Sequence, residues 1–436
     1  MRWAPAAEGR SMARCWSLLL PAALALAGEA AGGEVRRELF LASPGAGTAV
    51  LAATYYTRPE GRELLSVHQL MSRSDTVDVA YLRHSADHGR TWSAPLGVPT
   101  LEPRSDGKLR RALRGGVADP VTGRFVRFYL EALLPNDDPL EGMRRWQVYY
   151  AVSADGGRTW DVDEPVVHRG EGFSREHPLP GVHLGRNAFM VGDLASVPIV
   201  LADGTILVPV MITPQGPDGT YHNPGGGYTY SDAAALRGRW RADGRIDWEL
   251  SALIRGDPAR STRGLDEPTF APLADGRILA VLRGSNGGKP ALPARRWAAW
   301  SADEGRTWTE AAPWTYADGG EFHSPSSCSQ LVPHSSGRLY WIGNLTPVNP
   351  DGNRPRYPLV VGEVDRRSGL LRRETVRTVD TRGPGDSAQL TLSNFAVRED
   401  RATGELVINL SRLFQRSPPE GIDWTSDAYL YRVPVP

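Results

Sequence analysis

Two charged side chains stand at the outer ends of neighbouring apolar runs in the middle of the sequence. Glu267 comes just before the run that contains Phe270, and Arg283 closes the next run, sixteen residues after Glu267. Apolar runs joined by an Asp-Gly turn, here Asp275-Gly276, form a hairpin whose outer ends meet. The pair is therefore either a structural ion pair or a base beside a group that binds an anionic substrate.

A short repeat, Ser-x-Asp-x-Gly-x-Thr-Trp, identifies the elements that must position such residues. Complete copies occupy residues 85–92, 153–160 and 301–308, and a degenerate copy is predicted at residues 231–240. Residues 365–369 carry a remnant of the same pattern. The spacing of the copies sets a repeating unit of about 70 residues, a period typical of propeller and solenoid folds.

Each unit also carries a hairpin signal, in which a Gly-containing turn joins two apolar runs. The six turns lie at Gly47, Gly123, Gly204, Gly276, Gly337 and Gly404. Six units of four strands account for the chain after its first 30 residues. The sequence therefore predicts an all-β fold, a six-bladed β-propeller of four-stranded antiparallel blades, in a single domain over residues 31–436.

The repeat resembles the Asp-box, or BNR repeat, of the sialidase (neuraminidase) superfamily, and the resemblance covers nearly all of residues 31–436. It implies that each box is a structural turn between the third and fourth strands of a blade. It also implies that Glu267 polarises a nucleophile and that Arg283 binds a substrate carboxylate. The boxes and the hairpin turns share one rim of the predicted propeller, so we expect the site on the opposite rim, around the central channel.

The resemblance implies an acid/base carboxylate and a first arginine in blade one. Asp75, in the loop before the first Asp-box, is the preferred acid/base residue, and Asp78 is the alternative. Arg37 takes the place of the first carboxylate-binding arginine when ten residues are counted back from Gly47, with Arg36 as a competitor. The Ile-Pro that follows this arginine in the family is missing here, where the sequence continues with Glu and Leu.

Blade five supplies the candidates for a third carboxylate-binding arginine. Arg354 and Arg356 precede the strand that begins near residue 358, and Arg356 is preferred. A planar guanidinium suits two-point capture of a carboxylate.

Blade six departs from the family pattern. Sialidases use a tyrosine nucleophile near the start of its first strand, but residues 392–397 contain no tyrosine. Tyr429 and Tyr431 belong to the last strand, where a core position is expected. The resemblance therefore does not extend to the usual tyrosine mechanism.

Further polar residues are expected on the same rim as Glu267. They are Arg114, His183, Arg186, Asp193, Glu321 and His323. His323 is the third catalytic candidate, because Gly320 and Ser324 flank it in a loop expected to face the channel. No cluster has metal-ligand spacing and no Gly-rich phosphate loop follows a strand, so neither a metal nor a cofactor is predicted.

The first 30 residues are typical of a secretory signal peptide. Arg2, Arg10 and Arg14 precede an apolar run over residues 15–27, and small residues follow. The protein is therefore expected to be secreted or periplasmic, without an integral membrane segment. The two cysteines are Cys15 and Cys328, so removal of the signal leaves no pair for a disulfide.

Charge and the candidate residues together favour a glycan as the ligand. Fifty basic and 50 acidic residues give no net charge, which argues against binding to nucleic acid. The leading hypothesis is a secreted sialidase-like glycoside hydrolase that acts on a terminal acidic sugar without the tyrosine nucleophile. The alternatives are a hydrolase or lyase of uronic-acid polysaccharides, with His323 or Glu267 as base, and a glycan-binding propeller without catalysis. The oligomeric state is left open.

Overall fold

The computed structural model describes residues 33–436, and these form the blades of a six-bladed β-propeller. The predicted fold class is confirmed. The signal segment predicted for residues 1–30 lies outside the described residues. Helical structure among residues 33–436 is confined to α1 (Gly142–Arg145) and two 3-10 turns (Pro139–Glu141 and Arg373–Thr375), and no helix in that part of the chain could cross a membrane.

The six blades follow one another along the chain, and their strands are antiparallel. The N-terminal strand is β1 (Arg36–Leu41). Blade one contains β2 (Ala49–Tyr56), β3 (Leu64–Met71), β4 (Val79–Ser85) and β5 (Leu96–Val98). Blade two contains β6 (Leu101–Arg104), β7 (Gly107–Ala118), β8 (Phe125–Leu134), β9 (Gln147–Ser153) and β10 (Val162–Pro165). Blade three contains β11 (Phe189–Met190), β12 (Ile199–Val200), β13 (Ile206–Ile212), β14 (Asp232–Trp240) and β15 (Ile246–Leu250).

The second half of the ring has four-stranded blades throughout. Blade four contains β16 (Asp266–Pro272), β17 (Ile278–Arg283), β18 (Arg296–Ser301) and β19 (Ala312–Pro313). Blade five contains β20 (Gln330–Pro333), β21 (Leu339–Asn344), β22 (Leu359–Val364) and β23 (Arg377–Asp380). Blade six contains β24 (Ala396–Glu399), β25 (Leu406–Ser411) and β26 (Ala428–Val433), and β1 is its outermost strand.

The pairing of β1 with β26 closes the ring, because it places the N-terminal strand in the last blade. The turn at Gly47 consequently joins β1 of blade six to β2 of blade one, and the prediction that it forms a hairpin within a blade is wrong. The hairpin of blade one instead turns between β2 and β3, over residues 57–63. The other five predicted turns join adjacent strands within their blades: β7 to β8, β12 to β13, β16 to β17, β20 to β21 and β24 to β25.

The three Asp-boxes are tight turns between the last two strands of a blade, as predicted. In blade four, the Asp303 carboxylate accepts hydrogen bonds from the backbone N–H of Thr307 at 2.9 Å and from its hydroxyl at 2.6 Å. The Ser301 hydroxyl accepts from the N–H of Gly305, which has a φ of +76°. The Trp308 ring stacks on Phe270, with centroids 5.1 Å apart. The box is therefore satisfied within its own turn and anchored on the blade.

The prediction of a degenerate box at residues 231–240 is wrong. Residues 232–240 form β14 itself, and the turn that follows lies at residues 241–245. Asp365, in the remnant, does accept the N–H groups of Arg367 and Ser368 at 2.8 and 3.0 Å, in the turn between β22 and β23.

Apolar and aromatic side chains fill the space between neighbouring blades. The buried Trp248 of blade three meets Phe128 and Tyr150 of blade two edge to face, with ring centroids 5.8 and 5.3 Å apart. Because a single blade cannot bury both faces, closure of the ring is what stabilises each blade.

Candidate functional site

A cavity of about 300 Å³ lies where the innermost strands begin, around the propeller axis. All six blades contribute to its wall. Examples from blades one to six, in order, are Leu51, Arg114, Met211, Glu267, Arg356 and Asn394. In blade four, Arg283 pairs with Arg296 at one end of β17, and Ser301 of the Asp-box pairs with Ile278 at the other. The cavity and the boxes therefore lie at opposite ends of the blade, as predicted.

Glu267 and Arg283 form an ion pair in the cavity wall, with 2.9 Å between Oε1 and Nη1. The register of β16 against β17 shifts between Asp266 and Thr269, and Glu267 has a φ of +44° at this irregularity. Its other oxygen, Oε2, is buried without a hydrogen-bond partner among residues 33–436. Burial works to raise the pKa of Glu267, but Arg283 and, more weakly, Arg356 outweigh it, and the pKa lies below its usual range. Glu267 is therefore an ionised carboxylate with one oxygen that has no hydrogen-bond partner, and it can accept a proton or stabilise a positive charge.

The Arg283 guanidinium is fixed on three sides. Its Nε donates to the Ser326 hydroxyl at 2.8 Å, and Nη2 donates to Asn353 Oδ1 at 3.4 Å. The third contact is the ion pair with Glu267. A guanidinium held in this way presents a fixed direction to an anionic ligand.

Arg356 supplies a second guanidinium to the same cavity. Its Nε and Nη2 both donate to the carbonyl of Ser326, at 3.1 and 2.7 Å, and within residues 33–436 it forms no ion pair. Burial and the neighbouring charge of Arg283 lower the pKa of Arg356 to about 10, so the group is still cationic at neutral pH. A half-buried cation without a counter-ion suits the binding of a ligand anion.

Asp75 lines the cavity from the loop between β3 and β4. It is exposed, accepts a hydrogen bond from the Ser74 hydroxyl at 2.8 Å and has a φ of +54°. Asp78, the alternative, instead accepts the N–H and hydroxyl of Ser72, both at 2.8 Å, and does not line the cavity. The structure thus brings Asp75, Glu267, Arg283 and Arg356 together.

The other predicted site residues do not line this cavity. Arg37 lies on β1, the outermost strand of blade six, over the ring of Tyr429, because the Gly47 turn used to place it joins two different blades. Arg354 is exposed beside Arg356 in the loop before β22. His323 pairs with Thr346 in an isolated backbone bridge, and its Nδ1 is buried without a partner within residues 33–436.

Blade three brings Asp193 into the cavity through an interruption of its innermost strand. Met190 on β11 pairs with Met211, and Ile199 on β12 pairs with Leu207, so residues 191–198 stand opposite only three residues of β13. The surplus chain forms an excursion toward the axis. Asp193 on this excursion accepts hydrogen bonds from the Asn394 side-chain amide and from the N–H of Leu194, the latter at 2.7 Å.

Asn394 occupies the region of blade six where the family resemblance places a tyrosine. It precedes β24, has a φ of +62°, and its N–H lies 3.2 Å from Cys328 Sγ. Tyr228, at the exposed rim, is the single tyrosine in the cavity lining of residues 33–436. Where the family resemblance places a tyrosine, the cavity therefore holds the side-chain amide of Asn394.

Two more arginines line the cavity. Arg114 lies at the bulge of β7 and forms no ion pair within residues 33–436; its contacts there are the carbonyls of Leu113 and Val191. Arg263 lies 3.6 Å from the buried Asp266, which also accepts a hydrogen bond from the Ser231 hydroxyl. Arg114 was among the polar residues expected on this rim, whereas Arg263 was missed because it lies in a loop without a recognisable pattern.

An apolar wall completes the cavity. Blades one, two, three and six supply it: all four methionines of residues 33–436 line the cavity, together with Leu130, Trp146, Phe414 and Trp424. The methionines are Met71, Met143, Met190 and Met211. Unbranched thioether side chains adapt to irregular ligand shapes. The site can therefore hold a small molecule that has an anionic group on one side and an apolar surface on the other.

Comparison with known proteins agrees with the fold and the repeat. The BNR repeat-like domain family matches residues 117–375, and the chain belongs to this family. The sialidase-like BNR propeller expected from the sequence is thereby confirmed. None of the curated proteins compared with the chain matches it significantly.

Solved structures with the same fold include proteins that act on different glycans. A protein of unknown function from Dyadobacter fermentans aligns with a TM-score of 0.57 and 14% identity, over 92% of this chain and 99% of its own. The intramolecular trans-sialidase of Ruminococcus gnavus aligns with a TM-score of 0.58 and 12% identity, over 91% and 95%. An α-L-arabinanase of Penicillium chrysogenum, solved with arabinobiose, aligns with a TM-score of 0.51 and 15% identity, over 90% and 97%. At these identities the likeness concerns the fold alone.

Proposed function

We propose that this protein is a glycoside hydrolase that removes a terminal acidic sugar from a glycan. The observation that carries the proposal is the convergence of Arg283 and Arg356 on one cavity, beside the ionised Glu267. A carboxylate that bridges the two guanidiniums would place the sugar ring over Glu267 and its unpaired oxygen. The methionine-lined wall would receive the apolar part of the same sugar.

Hydrolysis at such a site requires water rather than a tyrosine as the nucleophile. Asn394 cannot form a covalent intermediate, so Glu267 would accept a proton from water or stabilise positive charge on the sugar. Asp75, on the exposed loop at the mouth, would exchange a proton with the leaving oxygen. These assignments rest on the site geometry and on the family resemblance.

A glycan-binding propeller without catalysis is the second candidate. Asn394 in the region expected to hold a tyrosine favours it. Of the bases considered for a uronic-acid hydrolase or lyase, Glu267 lines the cavity and His323 does not.

A binding and turnover assay separates these candidates. Calorimetry with sialic acid and glucuronic acid, and with lactose as a neutral control, measures whether the cavity requires a carboxylate. Sialyllactose and a glucuronic-acid oligosaccharide then test release of the sugar. Binding and release of an acidic sugar support the hydrolase, and tight binding without release supports the second candidate. Preference for lactose contradicts the acidic-sugar hydrolase, and failure to bind any of these sugars contradicts both.

We also propose that the protein is exported, on the basis of the charged and apolar pattern in residues 1–30. Mass spectrometry of the protein recovered from the producing cells would show whether the segment is removed near residue 30. Retention of the intact segment in the cytoplasm would contradict export.

A further inference from the structure

We propose that Asp193 is a catalytic residue of this site and donates the proton that the leaving oxygen requires, while Glu267 accepts a proton from the attacking water. The inference rests on the proposed hydrolase function and moves the proton-donor role from the exposed Asp75 to a half-buried carboxyl group in the cavity wall. It is carried by the excursion of residues 191–198, by the contacts of Asp193 and by its neighbour Glu267.

The chain path gives the first argument. Eight residues of the innermost strand of blade three stand opposite only three residues of β13. The resulting excursion places Gly192 against Glu267. A Cβ at Gly192 would lie 2.9 Å from Glu267 Cγ, so these two segments pack as closely as glycine allows. Asp193, the next residue, lines the same cavity as Glu267 and is near enough for the charge of Glu267 to act on it.

The contacts of Asp193 give the second argument. Each of its oxygens accepts one hydrogen bond, from Leu194 N–H and from the Asn394 amide, and no arginine forms an ion pair with it within residues 33–436. Glu267 differs, because Arg283 pairs with it directly. Of two neighbouring carboxyl groups, the one with a cationic partner is favoured in its ionised form, and the one without is the more readily protonated.

Groups from five blades face Asp193 and act on its charge. Burial, and then the negative charge of Glu267, raise the pKa of Asp193, whereas Arg114 and the Asn394 amide lower it. Burial is the main cause that raises the pKa of both Tyr55 and Cys328. The negative charge of Asp193 is the second cause, which shows that both groups lie near it. The outcome is a pKa above the usual aspartate range, which suits a proton donor.

The reaction balances with these two groups. The water oxygen forms a bond to the anomeric carbon as the bond from that carbon to the leaving oxygen breaks. One water proton passes to Glu267, and the Asp193 proton passes to the leaving oxygen. Transfer of a proton from Glu267 back to Asp193 restores the site.

The test compares methyl and 2,4-dinitrophenyl glycosides of sialic acid and of glucuronic acid, using wild-type protein, Asp193→Asn and Asp75→Asn. A methyl glycoside needs a proton on its leaving oxygen, and a dinitrophenyl glycoside does not. We expect Asp193→Asn to lose about 10²–10⁴-fold in kcat on the methyl glycoside and less than tenfold on the dinitrophenyl glycoside. Asp75→Asn should affect both substrates equally.

A matched control and a pH profile guard against a folding effect. Asp203→Asn changes a carboxylate in the turn between β12 and β13 of the same blade, outside the cavity, and should leave both rates unchanged. Wild-type turnover of the methyl glycoside should fall at high pH as Asp193 ionises, and the residual turnover of the same substrate by Asp193→Asn should not show this fall.

Each remaining outcome has a distinct meaning. If Asp75→Asn shows the leaving-group dependence and Asp193→Asn does not, the inference is overturned and the hydrolase function stands. If the wild-type protein binds the sugars and cleaves none of the four glycosides, the hydrolase function fails and the proton-donor role fails with it.

Discussion

Asn394 of blade six donates its side-chain amide to the carboxyl group of Asp193 of blade three, which joins two blades on opposite sides of the ring across the cavity. The contact occupies the region where a tyrosine is expected from the family resemblance. It also places a carboxyl group with a raised pKa beside Glu267, whose pKa is lowered.

The raised pKa of Asp193 makes the stability of the fold depend on pH. A carboxyl group with a folded-state pKa above its unfolded value of about 3.9 stabilises the fold fully below that value, and the contribution is lost as the pH rises through the folded-state pKa. Asp193→Asn does not ionise, so its melting temperature relative to wild type should rise across this window. Thermal melts of both proteins between about pH 3 and pH 8, in steps of about one pH unit, measure the difference in melting temperature. Parallel curves for the two proteins would show that the Asp193 pKa is not raised.

Arg356 and Arg354 allow a matched test of carboxylate binding. Arg356→Lys should weaken binding of an acidic sugar at least about tenfold, because a charge-assisted hydrogen bond contributes roughly 1.5–3 kcal/mol and an ammonium does not reproduce the planar fork. Arg354→Lys, two residues away and outside the cavity, should leave the affinity unchanged. Calorimetry on both variants decides, and equal affinities would remove Arg356 from the site.

Glu267→Gln should separate turnover from binding. Loss of the base should lower kcat by about 10²–10⁴-fold. The affinity for an acidic sugar should stay equal or rise, because the substitution removes the negative charge that competes for Arg283. Steady-state kinetics and calorimetry on one preparation measure both effects. A kcat within threefold of wild type would contradict the role of Glu267.

The Asp-boxes should contribute to stability and not to the site. Asp303→Ala removes an acceptor for the N–H and hydroxyl of Thr307 and should lower the melting temperature. Burial works to raise the pKa of Asp303, but its hydrogen bonds outweigh it and leave the pKa below the usual value. The stability lost in Asp303→Ala should therefore be largest above the unfolded-state pKa of about 3.9. It should shrink as the pH falls below that value through the lower folded-state pKa. An altered affinity for acidic sugars would contradict a purely structural box.

Local turn chemistry explains why the sequence predicts the blades. The Asp-box satisfies its hydrogen bonds within eight residues, and five of the six glycine turns close hairpins between adjacent strands, so both signals are visible in short stretches. Glu267 and Arg283 are predictable for the same reason, since one hairpin places them together.

Long-range pairing explains what the sequence does not reveal. Arg37 was misplaced because β1 pairs with β26, at the far end of the chain. Asp193 could be expected on the rim, but its contact with Asn394 depends on an excursion that is visible only in the register of β11 and β12 against β13. Arg263 lies in a loop that is positioned by Asp266 and Thr229, and no local pattern identifies it.

A crystal structure of the protein soaked with sialic acid or glucuronic acid tests the central claim most directly. The account predicts that the sugar carboxylate lies within hydrogen-bond distance of both Arg283 and Arg356, with the ring over Glu267 and its apolar side toward Met190 and Met211. An acidic sugar bound outside this cavity, or an empty cavity at a sugar concentration that saturates binding in solution, would contradict it.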